Sequence, residues 1–212
     1  MKKKNKLFSP RYLFYDFVKL TAGLPGLLLF RPKWVYESEK AKKRIRGGAL
    51  VAANHYGFFD PLYVMFAVWY RRHRFICGKE FFESRARLLF RAFLCIPIDR
   101  ENFNVSSLRA ITDALLEGSL VSMFPEGRIA EEEKTGELGA FKSGMALMAL
   151  RAKVPIVPVY VKPRKSVWQR ARFAIGEPID VAAEYAEAPS FATIEKIARE
   201  VRDKEEFLKT LV

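Results

Sequence analysis

From residue 47 onward, the chain alternates between short β-type runs and longer stretches whose apolar residues recur at helical spacing. Parallel strands cannot be joined by a tight turn and need a crossover helix, so this alternation favours a layered α/β domain. We therefore predict a mixed or mostly parallel sheet flanked by helices. The predicted strands are residues 49–53, 74–78, 96–98, 119–124, 155–161 and 171–175. The predicted helices are residues 61–70, 84–93, 105–117, 140–152 and a C-terminal segment that starts near 190.

Composition limits the class of protein. Half of the 212 residues are hydrophobic, which is enough to fill the core of one domain of this size. The two cysteines, Cys77 and Cys95, each lie in an apolar stretch, far from any CxxC motif or Cys/His cluster. We interpret them as reduced core residues in a reducing compartment, and we predict neither a bound metal nor an organic cofactor.

The net charge of +13 is concentrated in the first hundred residues. Residues 1–46 hold thirteen Lys and Arg against three acidic residues, and residues 70–100 hold eight against three. A one-sided positive field attracts an anionic membrane or nucleic acid, and it also concentrates an anionic substrate. Charge alone does not choose among these three.

Residues 7–30 are rich in apolar and aromatic side chains, which raises the question of a transmembrane helix. Charged residues at 11, 16 and 19 interrupt the run, so the stretch of about 18 uninterrupted apolar residues expected of a span is missing. The basic flanks and helical spacing instead predict an amphipathic helical segment, residues 1–46, that docks on an anionic membrane surface. Residues 47–212 then form a domain held peripherally, in a monotopic manner, at the cytoplasmic face. The alternative is an ordinary helix packed on its own domain beside a solvated charge run.

The sequence contains two histidines in different settings. His73 lies in the charged run RRHR at the end of a predicted helix, where we expect a solvated polar residue. His55 directly follows the predicted strand 49–53, in the segment NHYGFFDP, where loops of α/β sheets present functional groups. Five residues later, Asp60 could bring its carboxylate to one imidazole nitrogen and leave the other free as a base. Alternatively, Asp60 only caps the following helix and His55 is a satisfied polar residue.

A second signal is the segment FPEGR, which follows the predicted strand 119–124. Its Pro and Gly127 favour a turn that holds Glu126 at the edge of the sheet, beside Arg128. The alternative is an ordinary turn with a surface ion pair.

A third signal is a pair of cations at two other predicted strand ends. Lys79 follows RFICG, and Arg100 ends the segment IPIDR. Both suit a phosphate ligand, although either is equally compatible with a plain surface charge. Because the carboxyl ends of parallel strands meet at one edge of a sheet, we expect all three signals to lie at the same edge.

Four blocks together resemble the glycerolipid acyltransferase family, whose type activity is the acylation of lysophosphatidic acid (1-acylglycerol-3-phosphate). The blocks are, in order, NHYGFFD, GKEFF with IPIDR, FPEGR and VPIVPVYV, and they lie within residues 49–161. Their order and separations are far more specific than the His-x4-Asp pair alone. This chain departs from the common family pattern at Gly57, where many members have Ser, and before Arg128, where Thr is missing. Leu94 and Cys95 stand before the IPIDR strand, where a small residue is common.

The resemblance implies acyl transfer from acyl-carrier protein (acyl-ACP) or acyl-CoA to the free hydroxyl of lysophosphatidic acid, giving phosphatidic acid. It implies that His55 is the general base and that Asp60 orients it. It implies that Arg100, with Lys79, binds the acceptor phosphate. It implies that Glu126 and Gly127, with Arg128, belong to the acceptor site, and that Pro158 and its apolar neighbours lie behind the acyl-binding region.

The expected partners are an anionic membrane surface, a lysophospholipid and the acyl thioester, and no nucleic acid. Another lysophospholipid or an amine-containing lipid is an alternative acceptor. From a different class, the alternative is a non-catalytic basic module that binds membrane or nucleic acid, although the chain lacks the signatures of such modules.

Overall fold

A computed structural model of the chain describes residues 10–99, 105–127, 141, 143–162, 164, 166, 168–185 and 190–212. The strands are β1 (Lys33–Tyr36), β2 (Ala49–Ala53), β3 (His73–Gly78), β4 (Ile96–Ile98), β5 (Leu120–Met123), β6 (Ile156–Lys162) and β7 (Arg172–Ile175). The helices are α1 (Leu13–Val18), α2 (Leu24–Phe30), α3 (Asp60–Ala67), α4 (Glu80–Glu83), α5 (Arg87–Ala92), α6 (Val105–Leu116), α7 (Gly144–Ala152), α8 (Val181–Glu184) and α9 (Phe191–Thr210).

Within the described residues, seven strands form one sheet in the order β1-β7-β6-β2-β5-β3-β4. Neighbouring strands from β6 to β4 are parallel, β7 is antiparallel to β6, and β1 is parallel to β7. The predicted α/β class, with a mixed and mostly parallel sheet flanked by helices, is confirmed. Each predicted strand lies within one residue of its predicted bounds.

The sequence pattern does not predict the edge strand β1. Its side chains are largely exposed, so it lacks the buried apolar run that marks the central strands β2, β5 and β6. Residues 33–36 fall in the segment 1–46 that the sequence assigns to membrane docking, yet they pair with β7 along the sheet. The sheet therefore begins before residue 47.

Two apolar layers cover the two faces of the sheet. The central strand β2 is buried along its whole length, because its alternating side chains enter both layers. Leu50 and Ala52 enter the layer formed with α6, α7 and α9, whereas Val51 and Ala53 enter the layer formed with α3. We call these the α6–α9 face and the α3 face.

The N-terminal helix lies on the α3 face. A 3-10 turn precedes α1 and a π-helical turn joins α1 to α2, so that Pro10–Phe30 form one helix of 21 residues. Phe30 contacts the rings of Tyr63 and Phe66 at centroid distances of 5.4 and 5.6 Å. A side-chain carbon at Gly26 would lie 2.8 Å from the Phe66 ring, so this close approach requires glycine.

Polar contacts tie the same helix to the segment before β3. Asp16 accepts two hydrogen bonds of 2.7 Å from the guanidinium of Arg72. Lys19 donates to the backbone carbonyls of Trp69 and Arg71, and burial lowers the pKa of Lys19. These contacts hold the helix against the domain along its inner side.

The outer side of this helix is apolar and exposed. Its exposed side chains are Leu13, Phe14, Phe17, Leu20, Leu24, Leu28 and Leu29. By length and composition alone, Pro10–Phe30 is also sufficient to cross a membrane. Exposed apolar surface of this extent marks an interaction site.

The prediction that His73 is solvated is wrong. His73 is the first residue of β3 and is 1% exposed, because Tyr15 of α1 covers this end of the strand. The backbone N–H of His73 donates to the Tyr15 hydroxyl at 3.0 Å, and burial raises the pKa of Tyr15 to about 12. The imidazole lies between the Ser122 hydroxyl (2.7 Å from Nδ1) and the Val68 carbonyl (3.2 Å from Nε2). Burial lowers the pKa of His73 to about 3, so the ring is neutral in the fold.

Candidate active site

The carboxyl ends of β2, β3, β4 and β5 meet at one edge of the sheet because these strands are parallel. Asn54 and His55 follow β2, Lys79 follows β3, Asp99 follows β4, and residues 124–127 follow β5. The structure therefore brings the described members of all three sequence signals to the same edge.

The end of β2 is fixed by Asn54, which is fully buried. Its side-chain amide donates to the Val161 carbonyl at 3.0 Å and accepts from the Val161 N–H at 2.7 Å. The Asn54 side chain thus makes the hydrogen bonds to β6 that the backbone of β2 would otherwise make, so the backbone can turn away from the sheet at His55. Sequence reasoning did not single out Asn54, although it is the first residue of the block NHYGFFD.

His55 and Asp60 form a hydrogen-bonded pair. His55 Nδ1 lies 2.8 Å from Asp60 Oδ2, and the Gly57 N–H donates to the same oxygen at 2.7 Å. Asp60 is 2% exposed and begins α3, followed by Pro61 in the first turn, so the helix holds the carboxylate in place. In the arrangement where the Asp60 carboxylate accepts a hydrogen bond from Nδ1–H, Nε2 of the neutral ring carries a free lone pair.

The imidazole of His55 is further fixed by stacking. The Phe124 ring, directly after β5, lies parallel to it with an 18° interplanar angle and a centroid distance of 4.1 Å. Among the described residues, Nε2 has no hydrogen-bond partner. Phe124 was not predicted as a site residue, since an aromatic residue at the end of a buried strand suggests only a core position.

His55 lines a cleft of about 760 Å³ on the α6–α9 face of the sheet. This volume lies within the range of roughly 300–1,000 Å³ typical of small-molecule sites. The wall is mostly apolar and is formed by Ile76, Ile98, Met123, Phe141, Met145 and Met148. Two exposed arginines of α9, Arg199 and Arg202, stand at its rim. The sequence does not identify them, because nothing local in a charged C-terminal helix shows which turn faces the cleft.

Lys79 and Asp99 form an ion pair across the ends of β3 and β4. Lys79 Nζ lies 2.7 Å from Asp99 Oδ2, and the Lys79 backbone N–H donates to the Ile98 carbonyl at 2.8 Å. The Lys79 side chain remains more than half exposed. Asp99 also lines the cleft, which places this ion pair beside the apolar wall.

Residues 124–127 form the expected turn after β5. The Gly127 N–H donates to the Phe124 carbonyl at 3.0 Å, and Gly127 has φ +69°, a value that favours glycine. Glu126 is buried at 6% exposure, whereas Gly127 lines the cleft. The turn therefore places glycine at the cleft and draws the carboxyl-bearing residue inward.

Three of the predicted residues are not among the described residues that line the cleft. Arg100 and Arg128 lie outside the described residues. Pro158 lies in the middle of β6, buried against Gly176, and is not among the residues that line the cleft.

At Gly57, the departure from the family pattern, an added side chain would meet open space. The absence of the usual Ser there is therefore not imposed by packing. Within the described residues, no three His, Cys, Asp or Glu side chains come close enough to hold a metal ion.

The fold and the site together define a class: an α/β enzyme with a His–Asp pair at the carboxyl edge of a mostly parallel sheet, beside an apolar cleft. The chain belongs to the Acyltransferase family, whose sequence profile it matches over residues 34–162. The predicted resemblance and the predicted enzyme class are confirmed.

Curated relatives carry the name 1-acyl-sn-glycerol-3-phosphate acyltransferase. The protein of that name from Bacillus subtilis is 28% identical over 149 residues, which cover 68% of this chain and 72% of the relative. The Streptococcus pneumoniae protein is 33% identical over 181 residues, which cover 80% of this chain and 64% of the relative. The chain therefore matches about two thirds of the length of each.

Among solved structures, the fold matches the 1-acyl-sn-glycerophosphate (LPA) acyltransferase PlsC from Thermotoga maritima with a TM-score of 0.65. The match covers 95% of this chain and 80% of that one at 21% identity, so it shows a shared fold.

Proposed function

We propose that the chain transfers a fatty acyl group from acyl-ACP or acyl-CoA to the free hydroxyl of lysophosphatidic acid, giving phosphatidic acid. The observation that carries this proposal is the His55–Asp60 pair beside the apolar cleft. The names of the curated relatives support lysophosphatidic acid as the acceptor.

In this mechanism His55 is the general base. An alcohol has too high a pKa to attack a thioester unaided, so Nε2 takes the hydroxyl proton as the oxygen bonds to the carbonyl carbon. The buried Asp60 carboxylate stabilises the imidazolium that forms. The C–S bond then breaks, the thiolate takes the proton back from His55, and the products are an ester and a free thiol. No covalent acyl-enzyme is needed.

The acceptor phosphate would be bound beside the strand ends. Lys79 donates to Asp99 and keeps its ammonium group more than half exposed at this edge, where it would also meet a phosphate oxygen. Arg100 follows Asp99 directly and supplies a second cation that suits phosphate. Glu126, Gly127 and Arg128 would complete the acceptor site.

The acyl chain would lie in the apolar cleft. Each methylene removed from water contributes about 0.8 kcal/mol to binding, so a mostly apolar wall of this size favours a fatty acyl group over a short one. Since His55 lines the same cleft, the thioester carbonyl would come to rest near Nε2.

The exposed side of the N-terminal helix supports membrane docking. We propose that it lies in the interface of an anionic membrane, on the cytoplasmic face, without crossing it. The contacts of Asp16 and Lys19 with the domain support this orientation, because a helix that crossed the membrane would have to release them. Two exposed aromatic residues between His55 and Asp60, Phe58 and Phe59, would bring the site to the lipid.

The test is acyl transfer by the purified full-length protein with both donors and a panel of lysolipid acceptors. We expect the highest kcat/KM with lysophosphatidic acid. Lack of turnover with every phosphate-bearing acceptor would refute this proposal. The glycine at position 57 favours a second candidate, an enzyme of the same chemistry acting on another lysophospholipid or an amine-containing lipid, and the same panel would reveal it.

A further inference from the structure

The short helix α5 exposes two adjacent leucines. Leu88 is 69% exposed and Leu89 is 49% exposed, whereas the next residue, Phe90, turns inward and contacts the rings of Phe81 and Phe82 at 4.9 and 6.1 Å. The inner side of α5 is therefore packed on its own domain through aromatic residues. The outer side offers large apolar groups to the surroundings.

Three arginines surround these leucines. Arg85, Arg87 and Arg91 are all exposed, and none of them forms an ion pair with another described residue. The nearest acidic residue in sequence, Glu83, is exposed at the end of α4. Apolar side chains set among exposed arginines complement a lipid surface, whose interior is apolar and whose headgroups are anionic.

Helix α5 also adjoins the exposed side of the N-terminal helix. Phe93, one residue after α5, contacts the rings of Phe14 and Tyr15 at 5.5 and 5.8 Å. Phe14 itself belongs to the exposed apolar side of that helix. The two surfaces are thus neighbours on the domain.

We propose that α5 is a second contact with the anionic lipid surface, additional to the N-terminal helix. A single interfacial helix leaves the domain free to roll about the helix axis, whereas a second contact away from that axis removes this freedom. Helix α5 lies in the connection from β3 to β4, between Lys79 and Asp99. Its contact with lipid holds this phosphate-binding edge beside the headgroups.

This inference rests on the proposed docking, but it can be measured without enzyme activity. Two variants of the full-length protein test it: Leu88→Ser/Leu89→Ser, and Arg85→Gln/Arg87→Gln/Arg91→Gln. Co-sedimentation measures their binding to vesicles of phosphatidylcholine with and without phosphatidylglycerol.

The leucine variant is expected to bind both kinds of vesicle about tenfold more weakly than the wild type. The arginine variant is expected to lose about tenfold or more on the anionic vesicles alone, since it removes three cations that would lie near the charged headgroups.

Matched controls lie on the opposite face of the sheet. Arg109→Gln/Arg151→Gln/Lys196→Gln removes the same charge from α6, α7 and α9, and Phe191→Ser removes an apolar side chain of similar exposure. Both controls should bind like the wild type, and circular dichroism would verify that every variant is folded.

Wild-type binding by both folded α5 variants would overturn the inference. Equal losses in the matched controls would also overturn it, because the effect would then be one of total charge or stability. Weaker binding to an acyl-carrier protein with unchanged vesicle binding would assign α5 to a protein partner instead. A third variant, Phe17→Ser/Leu28→Ser, removes two exposed apolar side chains from the N-terminal helix. If it binds vesicles like the wild type while the α5 variants bind more weakly, the contact of α5 is supported and docking by the N-terminal helix is refuted.

Discussion

The two histidines stand at opposite ends of parallel strands, and their surroundings differ in nearly every respect. His55 follows the carboxyl end of β2 and lines the cleft, whereas His73 begins β3 at the amino end and is buried. One nitrogen of His55 is bound to a carboxylate and the other has no partner among the described residues. Both nitrogens of His73 have neutral partners, Ser122 and Val68.

The comparison shows which property makes a histidine available for catalysis. Burial makes His73 unable to take up a proton near neutral pH, because the charged imidazolium would lose its water without gaining a counter-ion. His55 has the counter-ion, Asp60, and an open nitrogen toward the cleft. We therefore expect His55 to serve the reaction and His73 to serve the fold.

The largest effect is expected from His55→Ala. A positioned general base contributes about 10²–10⁴-fold to a reaction, so kcat should fall by that factor while the melting temperature changes little. Asp60→Asn should also lower kcat, because a neutral amide lacks the negative charge that stabilises the imidazolium. The measurements are steady-state acyl transfer and thermal unfolding.

The opposite pattern is expected from His73→Ala. It should lower the free energy of unfolding by about 1–3 kcal/mol, because the Ser122 hydroxyl and Val68 carbonyl lose a buried partner. Its folded fraction should keep a nearly unchanged kcat. A His73→Ala enzyme that is as stable as the wild type but inactive would contradict the conclusion that His73 serves the fold.

Asn54→Ala is expected to lower both stability and kcat, with a smaller loss of kcat than His55→Ala. Truncation leaves the backbone N–H and C=O of Val161 without their partner, which costs about 1–3 kcal/mol of stability. Because Asn54 sets the turn into His55, kcat should also fall, with KM less affected. Asn54→Asp can still accept from the Val161 N–H but buries a second carboxylate oxygen against the Val161 carbonyl, so it should be at least as destabilised as Asn54→Ala. Equal kcat values in all three proteins would show that Asn54 has no positioning role.

The contrast between the two histidines was only half predictable from sequence. The motif around His55 carries local information, since a strand, a histidine and a helix-starting aspartate lie within eight residues, 53–60. His73 sits in the run RRHR, whose charges suggest solvent. Its burial depends on Tyr15, which is 58 positions away in sequence and carries no local signal of this contact.

The same reasoning explains the other differences. The central strands β2, β5 and β6 were predictable because they are buried on both faces and appear in the sequence as continuous apolar runs. The edge strand β1 is exposed, so only its pairing with β7 makes it a strand. The cleft was not predictable either, because its wall combines β-strand residues such as Ile98 with helix residues such as Met148.

A pH titration sharpens the comparison at His73. The pKa of this buried imidazole is lowered to about 3, first by desolvation, while the nearby cations Lys19 and Arg71 lower it further. The unfolded chain binds a proton near pH 6.5 and the folded chain does not, so stability falls as the pH drops below that value.

This one site contributes a slope of at most about 1.4 kcal/mol per pH unit. His73→Asn should flatten the acid side of the stability curve, measured by urea unfolding between pH 7 and pH 5. Equal slopes in the two proteins would mean that His73 is protonated in the fold.

The smallest effect on turnover is expected from replacing the two cysteines, whose surroundings differ from those of both histidines. The Cys77 thiol interacts with Cys95 and lowers its pKa, a property that would suit a nucleophile. Both side chains, however, pack against the α3 face, and neither lines the cleft that His55 faces. Cys77→Ala/Cys95→Ala should therefore keep a kcat close to the wild-type value, at a modest cost in stability. Mass spectrometry of the enzyme mixed with its acyl donor should detect no covalent adduct. An acyl-cysteine that forms and breaks down at the rate of turnover would instead show transfer through a covalent intermediate.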